Sequence, residues 1–347
     1  MAAPVRIAIV GLEHTHVAGL LETLPQHHEV ELVGIVEDDK ALADRYQQKF
    51  HLTPDLFHST LDEAVAKGHP QALLVYTSID KHRGVIEQAA KRGLTVMVEK
   101  PLTLTLDDAL AIRRVATQYH IDVLVNYETT WYANNRTVYD LIHQGKLGDL
   151  RKLVVHDGHQ GPKEIGVPPE FLKWITDPVR SGTGALHDFG CYGADLTTWW
   201  MDGQTPLTVT AVAQTNKPDT YPQVDDDATI ILQYAKAQAV FMPSWNWPFN
   251  RKDSEVYGTN GYAITVGSDR LRVRYLGDEH EKEFAAEALA SPQNDSLHYL
   301  AAVVNGTIKS KNDLTSLDTN VIVMQILDAA RESARTGRTV KLHELPR

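Results

Sequence analysis

The strongest constraint on this chain is the alternation of short β-branched runs with helix-spaced segments over its first 125 residues. Val5 to Val10 (VRIAIV) is a strand that is apolar but for Arg6, Gly11 turns the chain, and Val17 to Leu24 has helical spacing. Val30 to Val36 reads as a second strand and ends in Glu37-Asp38-Asp39. Ala72 to Tyr76, Val96 to Val98 and Val123 to Val125 read as further strands, with amphipathic segments at Lys81 to Arg92 and Leu106 to Tyr119. Strands without polar alternation are buried on both faces, which calls for a parallel sheet with helices on either side. Residues 1–125 are therefore expected to form a doubly wound α/β domain.

In such a sheet ligands bind beyond the carboxyl ends of the strands, so the residues that end the strands carry the functional information. Gly11 fits the first position of a dinucleotide fingerprint, but the second and third glycine positions hold Glu13 and His16. Glu37 and Asp38, at the tip of the second strand, are placed to accept from an adenosine ribose and to repel a 2′-phosphate, which favours NAD over NADP. Glu99-Lys100-Pro101 ends another strand. Pro101 holds Lys100 towards extended backbone and so aims the ammonium.

Beyond Asn126 the pattern changes. Lys152 to Val155, Leu207 to Gln214, Ala228 to Tyr234, Ala239 to Trp245, Glu255 to Tyr257, Tyr262 to Val266 and Leu271 to Tyr275 read as strands joined by short turns. Helices are expected at Asn134 to His143, Gly193 to Met201, Ser296 to Val304 and Leu317 to Thr336. Residues 126–347 thus read as an α+β substrate-binding and oligomerisation domain built on one large, open, mainly antiparallel sheet. Trp245, Trp247 and Phe249 alternate like one face of a strand. Core packing, sugar stacking and a subunit interface all suit that stripe; a homodimer or homotetramer is the expected use.

Of 347 residues, 34 are basic and 45 acidic, a net charge of −11, which disfavours nucleic acid as a partner. Cys191 is the lone cysteine, so no intramolecular disulfide forms, in keeping with a reducing cytoplasm. A first strand beginning at Val5 leaves no room for a signal peptide, and no apolar run approaches membrane-spanning length. Glu13-His14-Thr15-His16 contains a His-x-His pattern, with His156, Asp157, His159 and His187 as further conceivable ligands. Zinc needs three or four donors at one point, and the sheet sets the first pair beneath a dinucleotide. No metal is expected, and His14 and His16 are read as phosphate-facing or helix-start residues.

The order strand, Gly11, helix, acid after strand two, Thr77…His82, then Gly93-x-x-Val-x-Val-Glu99-Lys100-Pro101-Leu102 resembles the Gfo/Idh/MocA family of nicotinamide-dependent sugar and polyol oxidoreductases. The likeness continues through Trp174-Ile175-Thr176-Asp177-Pro178 and Ser181-Gly182-Thr183-Gly184-Ala185-Leu186-His187-Asp188-Phe189-Gly190-Cys191-Tyr192. Tyr192 stands where most of the family has histidine, as in its dihydrodiol dehydrogenase and glucose–fructose oxidoreductase branches. The resemblance sets Gly11, Leu12, Glu13, His14, Glu37, Asp38, Thr77, Ser78, His82, Glu99 and Lys100 against NAD. It sets Lys100, Asn126, Trp131, Asp188 and Tyr192 against a sugar, polyol or vicinal diol, with Tyr132, Asn134 and Arg136 near by. Tyr192 is expected to exchange the substrate proton, with Lys100 lowering its pKa and Asp188, one helical turn earlier, holding a second hydroxyl. Cys191 is read as packing. A silent NAD-binding sensor or repressor, and an NAD-retaining glycoside hydrolase, are the other readings this fold allows.

Overall fold

The computed structural model describes residues 3–345. Among these, β1 (Val5–Val10), β2 (Val30–Val36), β3 (Phe57–His58), β4 (Ala72–Val75), β5 (Thr95–Glu99) and β6 (Val123–Asn126) form an all-parallel sheet in the order β3-β2-β1-β4-β5-β6. The helices α1 (His16–Thr23), α2 (Lys40–Lys49), α3 (Leu61–Gly68), α4 (Ile79–Ala90) and α5 (Leu106–Tyr119) cover it. Their starts follow from capping side chains: Asp39 accepts from the Ala41 and Leu42 amides, and Thr60 and Thr105 accept from the third amide of α3 and α5. Strand order reverses between β1 and β4, which creates a crevice between the β1–α1 and β4–α4 loops.

The chain then enters α6 (Ala133–His143) and β7 (Leu150–Gly158). Four helices follow: α7 (Pro169–Ile175), α8 (Pro178–Ser181), α9 (Ala185–Asp188) and α10 (Gly190–Trp200). Next come β8 (Thr208–Gln214), β9 (Asp227–Gln233), β10 (Gln238–Ser244), β11 (Arg251–Gly258), β12 (Gly261–Val266), β13 (Arg270–Tyr275) and β14 (Lys282–Ala285). The chain closes with α11 (Ser296–Val304), α12 (Leu317–Thr336) and β15 (Val340–Lys341). The second sheet runs β14-β13-β12-β11-β7-β10-β9-β8-β15, antiparallel except where β7 meets β10.

Alternation in β9 buries Ala228, Ile230 and Leu232 against the helical layer and turns Thr229 and Ile231 outwards. α10 is buried along its whole length, and its core is continuous with that beneath β4 and β5. α11 packs on the first sheet, where Leu297, Tyr299 and Leu300 join Ile7, Ile9 and Leu74.

The aromatic stripe read at residues 245–249 does not lie on a strand. β10 ends at Ser244, and the chain beyond it leaves the alternating geometry. Trp245 is buried, Trp247 half-buried, and Phe249 is 76% exposed. Trp245 points into the active-site network instead of an open face.

Candidate active site

Lys100 follows the last residue of β5, at the carboxyl edge of the parallel sheet, and its peptide bond to Pro101 is cis. Asp188 closes α9, and Tyr192 lies in the first turn of α10. A break at Phe189 separates the two helices, so Asp188 and Tyr192 do not share one continuous helix face as the spacing suggests. Gly193 allows the close approach of this turn to the second sheet: a Cβ there would lie 2.5 Å from Phe241 Cγ. That approach brings Tyr192 in front of Lys100.

The Lys100 ammonium donates to Asp188 Oδ1 at 2.6 Å and lies 5.1 Å from the centre of the Tyr192 ring. Trp245 Nε1 donates to Asp188 Oδ2 at 3.0 Å. Both carboxylate oxygens of Asp188 thus hold a donor, so the residue braces Lys100 while still lining the cavity. Burial works against the Lys100 charge, but Asp188, beside it, outweighs burial and raises the lysine pKa. Burial likewise opposes the Asp188 carboxylate, and Lys100 overcomes it to hold the pKa below the usual range.

Lys252, on β11, completes the arrangement. Its Nζ lies 4.6 Å from the Tyr192 ring centre and pairs with Glu128. Register explains its place: Lys252 sits opposite Asp157 where β11 pairs with β7. Burial pushes the Asp157 acid up to about 8, with Lys252 and Lys100 pulling the other way, so a neutral carboxylic acid underlies the two lysines at pH 7. Burial holds the Tyr192 phenol well above its ordinary value, and the acids around it, Asp157 and Glu128 first, add to the effect as they ionise. The expected lowering by Lys100 is overturned: burial dominates, and the surrounding acids add to it. Tyr192 is a protonated phenol across the physiological range, suited to donating a proton. Lys100, Glu128, Asp188, Tyr192 and Lys252 line a cavity of about 300 Å³ that also admits His14, His16 and His159.

Glu99, beneath the cavity, accepts from His16 Nδ1 at 3.0 Å and from Asn126 Nδ2 at 3.0 Å. His14 Nε2 lies 3.9 Å from the same carboxylate. These three side chains approach each other closely enough to suggest a metal, but hydrogen bonding accounts for the grouping. The His16 amide donates to His14 Nδ1 at 3.2 Å, which places the ring proton on Nε2 and leaves no lone pair there for a cation. His156 and His187 point elsewhere, towards Asp253 and Thr183.

At the crevice, Gly11 has φ +84°, and a Cβ on it would meet Thr77 Cγ2 at 2.5 Å; only glycine lets these two loops close. Glu37 accepts from the Leu12 and Asp39 amides, each at 2.9 Å, so its carboxylate braces the β1–α1 loop and is not a free ribose acceptor. Asp38 remains exposed beside it. His14 is buried against Phe171 and Trp174 and lines the same cavity as Tyr192, whereas His16 starts α1. His82 is buried between the Leu102 and Thr77 carbonyls, a brace away from the crevice. Ser78 Oγ, Lys81 and Arg180 converge there, and all three bond or pair at 2.7 Å, Ser78 with Arg180 and both cations with Glu13. Two cations and a hydroxyl fit the diphosphate of a dinucleotide, provided that the Glu13 carboxylate yields.

Residues 5–127 match the oxidoreductase family with an NAD-binding Rossmann fold, and residues 135–264 match the GFO/IDH/MocA C-terminal domain. This chain belongs to the Gfo/Idh/MocA oxidoreductase family. It is 27% identical over 266 residues to dTDP-3,4-didehydro-2,6-dideoxy-alpha-D-glucose 3-reductase of Saccharopolyspora spinosa, covering 76% of this chain and 75% of that one. It is 27% identical over 231 residues to trans-1,2-dihydrobenzene-1,2-diol dehydrogenase of Homo sapiens, covering 66% of this chain and 64% of the relative. Among solved structures, aldose-aldose oxidoreductase from Caulobacter crescentus superposes with a TM-score of 0.82 at 21% identity, over 98% of this chain and 100% of that one. An inositol dehydrogenase homolog complexed with NAD+ from Azotobacter vinelandii superposes at 0.84 and 18% identity, over 99% and 98%.

Within this family member the substrate-side residues divide. Lys100, Asp188 and Tyr192 come together, as does Lys252, which sequence reasoning missed because only strand register reveals its position. Asn126 supports Glu99, and Trp131 donates to Asn126 Oδ1 at 3.0 Å from behind, outside the central cavity. Asn134 is buried and donates to the Gly267 and Arg270 carbonyls, while Arg136 is held by Asp140. Those two therefore lie outside the cavity lined by Lys100 and Tyr192. Tyr132 donates to Glu128 and acts at one remove, on the partner of Lys252. Cys191 is buried, its Sγ 3.2 Å from the Asp188 carbonyl, as a packing residue would be. Among the described residues, no helix is long and apolar enough to cross a membrane.

Proposed function

We propose that the protein interconverts a carbonyl and a secondary alcohol on a sugar, polyol or related vicinal diol, with Tyr192 as proton donor and acceptor and Lys100 as its charged partner. A bound nicotinamide dinucleotide supplies the hydride donor or acceptor. The observation that carries this reading is the convergence of Tyr192, Lys100 and Lys252 on one cavity at the carboxyl edge of a dinucleotide-binding sheet. In the reduction direction Tyr192 gives its proton to the carbonyl oxygen, and the two lysines stabilise the negative charge that develops there. Asp188 and Trp245 fix the Lys100 ammonium so that it need not reorganise during the reaction. The raised phenol pKa keeps the proton on Tyr192 at neutral pH. The relatives named for a sugar nucleotide reductase and a diol dehydrogenase support the substrate class.

NAD is the proposed cofactor, because Asp38 stands exposed beside Glu37 at the tip of β2 and their charges oppose a 2′-phosphate. NADH should bind on the order of a hundredfold more tightly than NADPH in fluorescence titrations. Equal or tighter NADPH binding refutes that choice. A panel of aldoses, keto-sugars, inositols and vicinal diols, followed by nicotinamide absorbance, tests the reaction itself.

The proposed assembly is a homodimer or homotetramer formed on the open face of the second sheet. There Ile231, opposite Thr210 and Val240, is flanked by the exposed Val212 and Met242. Light scattering should give at least twice the chain mass of 38.7 kDa at micromolar concentration; a monomer refutes it.

A further inference from the structure

The crevice between β1 and β4 is bridged by the protein's own charges. Glu13 Oε1 accepts from Lys81 Nζ and Glu13 Oε2 from an Arg180 nitrogen, both at 2.7 Å. Glu13 belongs to the β1–α1 loop, Lys81 to the first turn of α4, and Arg180 to α8, so one carboxylate ties both lips of the switch point to the segment above them. That segment is fastened elsewhere as well. Trp174 Nε1 donates to the Glu13 carbonyl at 3.3 Å, Arg180 donates to Ser78 Oγ, and Glu170 on α7 pairs with Arg45 on α2 at 2.9 Å. Burial opposes the Glu13 charge, yet Lys81 and Arg180 outweigh it and lower its pKa.

A glycine is expected at position 13 when a phosphate is to approach the loop. An acidic side chain there faces the same two cations that a diphosphate would need. We infer that the Glu13 carboxylate is an internal stand-in for the cofactor's phosphate: it occupies the anion subsite made by Lys81, Arg180 and Ser78 and must be displaced for a dinucleotide to bind. This rests on the dinucleotide-dependent reading above and adds a competitor to it. The side chain is 19% exposed, so a displaced carboxylate has solvent within reach. Binding then exchanges two charge-assisted hydrogen bonds of Glu13 for those of the incoming diphosphate, and the protein gains affinity only from the difference. Glu13 also keeps Lys81 and Arg180 aimed at the crevice in the free protein. On release it takes them back, so the cofactor exchanges with solvent instead of remaining trapped.

The signature is a pair of substitutions on one ion pair with opposite effects. Glu13→Gln and Glu13→Gly should each tighten NADH binding to the full-length protein at least tenfold, measured by calorimetry, and inorganic pyrophosphate should compete more strongly in both. Arg180→Gln breaks the same bond but should weaken NADH binding at least tenfold. A purely structural latch would move both positions the same way, and that result overturns the inference. So does unchanged affinity in both Glu13 variants while the wild type binds NADH, an outcome that leaves the oxidoreductase reading intact. If neither the wild type nor either Glu13 variant binds NADH or NADPH, the dinucleotide reading falls, and this inference with it.

Discussion

Tyr192→Phe is expected to lower kcat by about a hundred- to ten-thousandfold while leaving dinucleotide affinity nearly unchanged. The phenol is the one group in the cavity that is both protonated at neutral pH and flanked by two ammonium groups, at 5.1 and 4.6 Å from its ring centre. Removing its oxygen removes the proton that neutralises the developing alkoxide. The ring remains to pack against Tyr127 at a centroid distance of 5.5 Å. Lys100→Met should cost a comparable factor, since it removes the charge that steadies the same oxygen. The two losses should not add, because each residue acts through the other, and the double variant should be little worse than the poorer single. Steady-state kinetics on the best substrate of the panel decides this. Full activity in Tyr192→Phe would make Tyr192 a packing residue and leave Lys100 or Lys252 as the source of the proton.

Asp188→Asn should destabilise the fold by about 3–5 kcal/mol at pH 7, because it leaves the buried Lys100 ammonium without its counter-charge. The pH dependence separates this from a simple packing loss. In the wild type, the raised Lys100 pKa contributes stability below the unfolded lysine pKa, and this is lost as pH rises through the folded value. The lowered Asp188 pKa contributes stability above the unfolded aspartate pKa, lost as pH falls through the folded value. Without Asp188, burial drives the Lys100 pKa down, and the neutral amine is tolerated. The stability gap between the variant and the wild type should therefore narrow as pH rises from 7 towards 10, read from denaturant midpoints. A gap that stays constant over that range would mean that Lys100 carries no charge worth pairing. Trp245→Phe, which removes one donor to Asp188 and keeps Lys100 paired, should show a smaller loss with little pH dependence.

Much of the architecture was legible without coordinates. Apolar, β-branched-rich runs such as VRIAIV are buried on both faces except at Arg6, and that calls for the parallel sheet. The spacing of Leu317 to Thr336 gave a helix that matches α12 end to end. The residue pattern left α2, α3 and the short helices α7 to α9 unread, and it missed the short edge strands β3, β14 and β15, whose two to four residues carry no period to read. It also failed at Trp245, Trp247 and Phe249. Alternation there belongs to a loop that leaves β10, and a period of two has no meaning once the backbone is no longer extended.

The sequence by itself determined which side chains lie at the sheet's carboxyl edge, because strand ends are local: Gly11, Glu37, Glu99 and Lys100 follow from where apolar runs stop. Tertiary structure alone decided what those side chains do. Lys252 reaches Tyr192 through the register of β11 on β7, which no spacing along the chain encodes. Burial raises the phenol pKa where proximity to lysine alone predicts a fall, while Asp188, 88 residues away, pairs with the Lys100 charge. Glu13, an apparent flaw in a glycine loop, becomes intelligible only when Lys81 and Arg180 arrive from other elements. Charge is a property of residues, but its effect is set by distance and burial, and folding fixes both.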